Sequence, residues 1–175
     1  IDCPAISKEA LRDPGYLASL RVADALAHVL RAFRDETVPH EKGSVDPLRD
    51  FADVEMELVL SDLMVVEKRL ERLDKDRRKL KSPDLDREWE VLERCKQALE
   101  ENTPLRSLEF TPDEEKRIRG FQFLSLKPLL AVLNLDESDA PRLHEIESGY
   151  RQGPLGAARN AAVTAVCGKI EAELA

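Results

Sequence analysis

Much is missing from this 175-residue chain. Cysteine is scarce: Cys3, Cys95 and Cys167 lie far apart, without metal-ligand spacing, which points to a reduced, cytoplasmic setting. Nothing resembles a signal peptide or a membrane span, so no membrane partner is expected. Positive charge is not in excess. Lys and Arg number 27 against 35 Asp and Glu, a net charge of -8. That argues against bulk attraction to nucleic acid or anionic lipid, while leaving room for a local basic patch. No phosphate-binding loop of the form G-x-x-x-x-G-K-[ST] occurs anywhere, and the glycine-containing stretch 151–156 does not have that pattern. There is no initial methionine. The chain opens at Ile1 on what reads as the end of a strand, and is expected to be a fragment of something longer.

What is present is 42% hydrophobic and 35% charged, the balance of a folded protein with long solvated helices. The chain is organised around Leu129-Leu130-Ala131-Val132-Leu133, followed by Asn134-Leu135-Asp136-Glu137. So short an apolar run, opened by Pro128 and closed by polar residues, predicts a strand buried on both faces in a parallel sheet. Ligands of such sheets bind beyond the carboxyl ends of the strands. Asn134 and Glu137 fall there, either to bracket a nucleobase edge or to form an Asx-type turn that caps the next helix.

Two further strands are expected, at 25–33 and 162–166, the second ending in Cys167-Gly168-Lys169. His28 inside the first reads as a hydrogen-bonded core histidine. Helices are expected at 16–22, from Asp46-Pro47 onward, from Ser82-Pro83-Asp84 onward, from the cap Thr111, at 140–148 and at 170–174. In the longest one Met56, Val59, Leu63, Val66, Leu70, Leu73 and Leu80 recur at heptad spacing, broken only by Arg77. Leu58, Leu60 and Met64 add a second apolar face, expected to lie buried against the sheet. The next helix carries a matching seam of Leu85, Trp89, Leu92, Cys95 and Leu99. The two should return on each other as an antiparallel hairpin, with Cys95 as packing. At the tip stand Lys75, Arg77, Arg78, Lys79 and Lys81, among Asp74, Asp76, Asp84 and Asp86. This is either a solvated helix end or a phosphate-contacting tip for RNA or a ribosome. The implied division is 1–55, a 56–102 helical hairpin, and 103–175.

Three strand ends therefore carry candidate ligand residues: Asp2, Asn134 with Glu137, and Cys167-Gly168-Lys169. Their order is that of a P-loop nucleotide hydrolase read from its middle. The segments A-D-A-L-A-H-V-L-R-A-F, G-S-V-D-P-L-R-D, M-E-L-V-L-S-D-L-M-V-V-E-K-R-L-E-R-L, F-L-S-L-K-P-L-L-A-V-L-N-L-D-E and V-C-G-K-I-E-A-E-L resemble the YchF group of Obg-related nucleotide hydrolases, the Obg-like ATPases. The resemblance implies an α/β fold: a Ras-like sheet flanked by helices, with an inserted helical hairpin and with the phosphate-loop part absent from this sequence. It implies that Asn134 and Glu137 bind the base, with ATP favoured over GTP because Glu replaces the usual Asp. It implies that Cys167, Gly168 and Lys169 close over the base. Asp2 matches the residue that holds Mg²⁺ through a water, and Ile6 the apolar residue standing where Ras-like proteins orient water with Gln. Ala5 stands where the family has Gly, Pro4 removes a backbone donor, and no glycine lies between Ile6 and Asp13. The family's C-terminal TGS domain is not in this sequence. Two functions follow as expectations. One is a nucleotide-binding hydrolase domain, associated with ribosome or RNA. The other is a non-catalytic relative that binds partners through the hairpin.

Overall fold

A computed structural model describes residues 13–157 and 159–174. Asp2, Ala5 and Ile6, with the expectations placed on them, lie outside these. The described elements are helices α1 (Pro14–Arg21), α2 (Pro47–Lys79), α3 (Pro83–Glu100), α4 (Pro112–Ile118), α5 (Leu143–Gln152), α6 (Pro154–Ala157) and α7 (Gly168–Leu174), and strands β1 (Leu26–Arg31), β2 (Leu129–Asn134) and β3 (Ala161–Val166). They divide into two compact units. Of the described residues, one takes those from 13 to Asp24 with Val54–Lys127; the other takes Ala25–Asp53 with those from Pro128 to 174.

The second unit is an α/β unit around a parallel sheet in the order β1-β2-β3. The strands end level: Arg31, Asn134 and Val166 are register partners, so whatever follows each strand emerges at one edge. Leu30, Ala131, Leu133, Val163 and Ala165 pack with Phe51 of α2, Leu143, Ile146 and Tyr150 of α5, and Leu155 of α6. The expectation that β2 is buried on both faces is not met among the described residues. Leu129, Ala131 and Leu133 are at most 4% exposed, whereas Leu130 is 36% exposed and Val29 of β1 is 62% exposed. Within this unit Phe51, α5 and α6 pack on the face that carries Ala131 and Leu133, and alternate side chains point away from it. The outer edge of β3 is covered by α5. Glu147 accepts the Ala165 N–H at 3.2 Å, and Arg151 donates to the Val163 carbonyl at 3.4 Å.

His28 also departs from expectation. It stacks on Phe51 with ring centroids 6.1 Å apart, and its buried Nδ1 has no hydrogen-bond partner. Burial pushes its pKa down to about 4, against the raising influence of Asp50. Its half-buried ring packs on Phe51, and its burial disfavours the charged form.

In the first unit, α2 and α3 are joined by three residues (80–82) and share a dry seam. Val59, Val66, Leu70 and Leu73 pack with Val91, Leu92, Cys95 and Leu99. Arg69 meets Glu88 through two bonds of 2.7 and 2.8 Å, and Arg77 meets Asp86 at 2.7 Å. These pairs run in reverse order along the two helices. Cys95 is fully buried, and burial pushes its thiol up to about 12, in keeping with a packing role. Both ends of the heptad series are exposed, Met56 at 45% and Leu80 at 63%. Leu60 and Met64, expected to be buried, are also exposed, at 45% and 63%, and neither belongs to the seam. Arg77, the break in the series, lies over the Trp89 ring at 4.8 Å, so its guanidinium completes the seam as an aromatic neighbour would.

The segment after α3 packs with this unit. Leu105, Ile118 and Phe123 complete the seam's core, so the compact unit runs to Lys127 where the sequence division fell after residue 102. α4 begins with a full capping box: Thr111 Oγ1 accepts the Glu114 N–H, and the Glu114 carboxylate accepts the Thr111 N–H at 2.7 Å. Two buried charges hold the unit. Asp62 accepts the Leu124 and Ser125 N–H groups at 3.0 and 2.7 Å, and Arg21 at 3.2 Å; burial raises its pKa against these bonds. Arg106 donates to the Lys127 carbonyl at 2.9 Å and pairs with Glu55.

Candidate functional site

The level strand ends bring β2 and β3 out side by side, and the side chains that follow them meet. Asn134 is the last residue of β2. Its Oδ1 accepts the backbone N–H of Gly168, just past β3, at 2.9 Å. This bond fixes the amide's orientation, because only the oxygen can accept. The Asn134 N–H₂ is left as a donor that makes no bond among the described residues. A Cβ at 168 would stand 3.0 Å from Asn134 Oδ1, so the close approach of loop to amide favours glycine there.

The loop after β2 is held by its own residues. Asp136 Oδ1 accepts the Ser138 N–H at 2.9 Å and the Ser138 hydroxyl at 2.7 Å, and these bonds keep its carboxyl below the usual range. Asp136 thereby caps the short turn Glu137–Arg142. The capping alternative raised by the sequence is thus filled by Asp136, and neither Asn134 nor Glu137 is consumed by it. The Cys167 thiol donates to the Asp136 carbonyl at 3.3 Å, and the Leu135 N–H donates to the Val166 carbonyl at 2.8 Å. The two loops are tied along their length. At the surface Lys169 forms an ion pair with Glu137, and this pairing raises the lysine's pKa.

Asn134, Glu137, Cys167, Gly168 and Lys169 therefore lie together in one constellation. It offers an oriented amide donor, a carboxylate and an ammonium to solvent, above a buried thiol and a loop that comes within contact of the amide. Such a set presents hydrogen-bonding groups to a flat polar ligand and holds no nucleophile with a base beside it. Asp2 and Ala5, expected to contribute to the same site, are outside the described residues. Among the described residues no group of three or more His, Cys, Asp and Glu is placed to hold a metal. No described helix is long and apolar enough to cross a membrane.

The basic tip residues are not a set of five free cations. Arg77 is engaged with Asp86 and Trp89, and Arg78 with Asp74 at 2.7 Å. Lys75, Lys79 and Lys81 make no ion pair among the described residues. Clefts elsewhere do not include the constellation. One of about 270 Å³ lies in the first unit beside Arg21, Arg119, Gln122 and Lys127. Another, of about 330 Å³, lies at the amino ends of the strands by Leu26, Leu129 and Ala161. Sequence reading missed the Glu137–Lys169 pair and the Asp62 anchor. The signal for Asp62 was present, since Ser61-Asp62 interrupts an otherwise apolar stretch.

No protein-family model matches the chain. Individual proteins do. It is 37% identical over 178 residues to the "Ribosome-binding ATPase YchF" of Bacillus subtilis, a match covering 99% of this chain and 48% of that protein. It is 31% identical over 184 residues to the protein of the same name from Escherichia coli O157:H7, covering 100% and 48%. It is 33% identical over 127 residues to "Obg-like ATPase 1" of Oryza sativa subsp. indica, covering 73% and 32%. Among solved structures, the Schizosaccharomyces pombe YchF GTPase superposes with a TM-score of 0.76 at 27% identity, covering 98% of this chain and 47% of that one. The chain spans about half the length of the curated YchF proteins it matches.

Proposed function

From the premise that this chain is a relative of the YchF and Obg-like ATPases, we propose that it forms the base-recognition part of a nucleotide-binding hydrolase domain. The supporting observation is the Gly168 N–H bond to Asn134 Oδ1 at 2.9 Å. It joins the two loops expected to hold the base and aims the free Asn134 N–H₂ outward. Both purines carry an acceptor at N7 that such a donor fits. Glu137 and Lys169 stand beside it for the rest of the edge. ATP is the proposed nucleotide in preference to GTP. Phosphate contacts are not provided by the described residues. Mg²⁺ is proposed to arrive with the triphosphate, with Asp2 as its partner on the chain. The α2–α3 pair is proposed as an inserted helical hairpin whose tip meets a ribosome or RNA through Lys75, Lys79 and Lys81.

The altered Asp2-Cys3-Pro4-Ala5 stretch favours a second reading, a partner-binding module that does not hydrolyse nucleotide. Both readings meet in one measurement. Titrating the ¹⁵N-labelled chain with MgATP should shift the Asn134 and Gly168 amide signals with saturation at about millimolar concentration, and Asn134→Ala should abolish the response. No shift at these residues up to roughly ten times that concentration refutes nucleotide binding and leaves the partner-binding module.

A further inference from the structure

The surroundings of Glu137 bear on which purine this site accepts, an inference that rests on the nucleotide reading above. Asn134 does not choose between purines. Its Oδ1 is committed to the Gly168 N–H, and its remaining N–H₂ meets N7, which adenine and guanine share. The choice falls to the Watson–Crick edge. Guanine presents two neighbouring donors there, N1–H and N2–H₂, and an unencumbered carboxylate accepts both through its two oxygens. Adenine presents one donor, N6–H₂, beside the acceptor N1. In this structure Glu137 is not unencumbered. Its Oε2 is taken by the ammonium of Lys169, reaching across from the loop after β3.

We propose that Lys169 is a specificity-determining residue: by holding one oxygen of Glu137, it denies guanine the two-oxygen contact and leaves a single acceptor, which suffices for adenine. The remaining oxygen accepts adenine N6–H₂. Guanine must either displace the ammonium or share Oε2 with it, which crowds its N2–H₂ donor against the ammonium's N–H groups. Discrimination of this kind works by leaving the wrong ligand's polar groups unpaired. The ion pair is exposed, with 69% and 42% of the two side chains accessible, so it is a bias of modest size.

The test compares dissociation constants for MgATP and MgGTP, read from the Asn134 and Gly168 amide shifts, in the wild-type chain, Lys169→Met and Lys169→Arg. The wild type is expected to favour ATP. Lys169→Met frees Glu137 and should move the ATP-to-GTP ratio about threefold toward GTP. Lys169→Arg keeps a cation on Glu137 and should preserve the wild-type ratio. Loss of a positive charge weakens both triphosphates alike, so the ratio isolates the effect on the base. An unchanged ratio in Lys169→Met, an equal loss for both nucleotides, or a wild-type preference for GTP overturns the proposal while nucleotide binding stands. Absence of shifts with either nucleotide in the wild type overturns the nucleotide reading, and this inference with it.

Discussion

In the helical unit the charges that organise the structure are inside. Asp62 and Arg106 are at most 1% exposed; Asp62 ties α2 to the stretch between α3 and β2 through the Leu124 and Ser125 N–H groups, and Arg106 of that stretch bonds the Lys127 carbonyl and pairs with Glu55 of α2. In the sheet unit the notable polar side chains stand at the surface, at the carboxyl ends of the strands, where Glu137 and Lys169 pair over Asn134 and Gly168. The helical unit hides its ions to fix a shape. The sheet unit displays polar groups and half-buries the His28 imidazole. Where a charge sits relative to solvent thus separates the buried anchors of the helical unit from the displayed groups of the sheet unit more sharply than sequence neighbourhood does.

Substitutions test that contrast, and the largest effect belongs to Asp62. Asp62→Ala leaves two backbone N–H groups and Arg21 without their acceptor, and should cost about 3–5 kcal/mol. A urea midpoint near wild type would remove the distinction between buried and displayed charge. His28 comes next. Its folded-state pKa of about 4 lies below the ordinary 6.5. Between these values the unfolded chain binds the extra proton, so stability should fall as pH drops from 6.5 through 4. The swing for this group is about 3 kcal/mol. His28→Leu should flatten that part of the curve; an unaltered slope would mean that another group carries it. The smallest effect is at the tip. Arg77→Ala removes a half-exposed ion pair and a contact with Trp89, and should lower stability by no more than about 1 kcal/mol. A several-fold larger loss in thermal denaturation would place Arg77 with the buried anchors.

The sequence carried these two regions unequally. Element order was legible, because Pro at helix starts, Thr111 as a cap and three short apolar runs are local signals. The meeting of Asn134 with Gly168 was legible too, because parallel strands in level register bring successive strand ends to one edge. Exposure was not legible from local pattern. Leu129-Leu130-Ala131-Val132-Leu133 is apolar throughout, yet only alternate residues are buried, because burial depends on what lies above each face. Leu60 and Met64 failed for the same reason. The tip read as a run of mixed charge, a solvated helix end or a phosphate-contacting surface, because a string of letters does not reveal that Arg77 folds onto Trp89 or that Arg78 reaches Asp74. The Glu137–Lys169 pair was beyond reach, since it spans 32 positions and depends on rotamers.

The two margins of the sheet are finished unequally. That of β3 is stitched to α5 through Glu147 and Arg151, whereas β1 has no strand on its outer side among the described residues and turns Val29 to solvent. An open margin of this kind is a template for strand-to-strand self-association. Among the described residues, the backbone groups of β1 that point away from β2 are thereby left able to pair with a further strand.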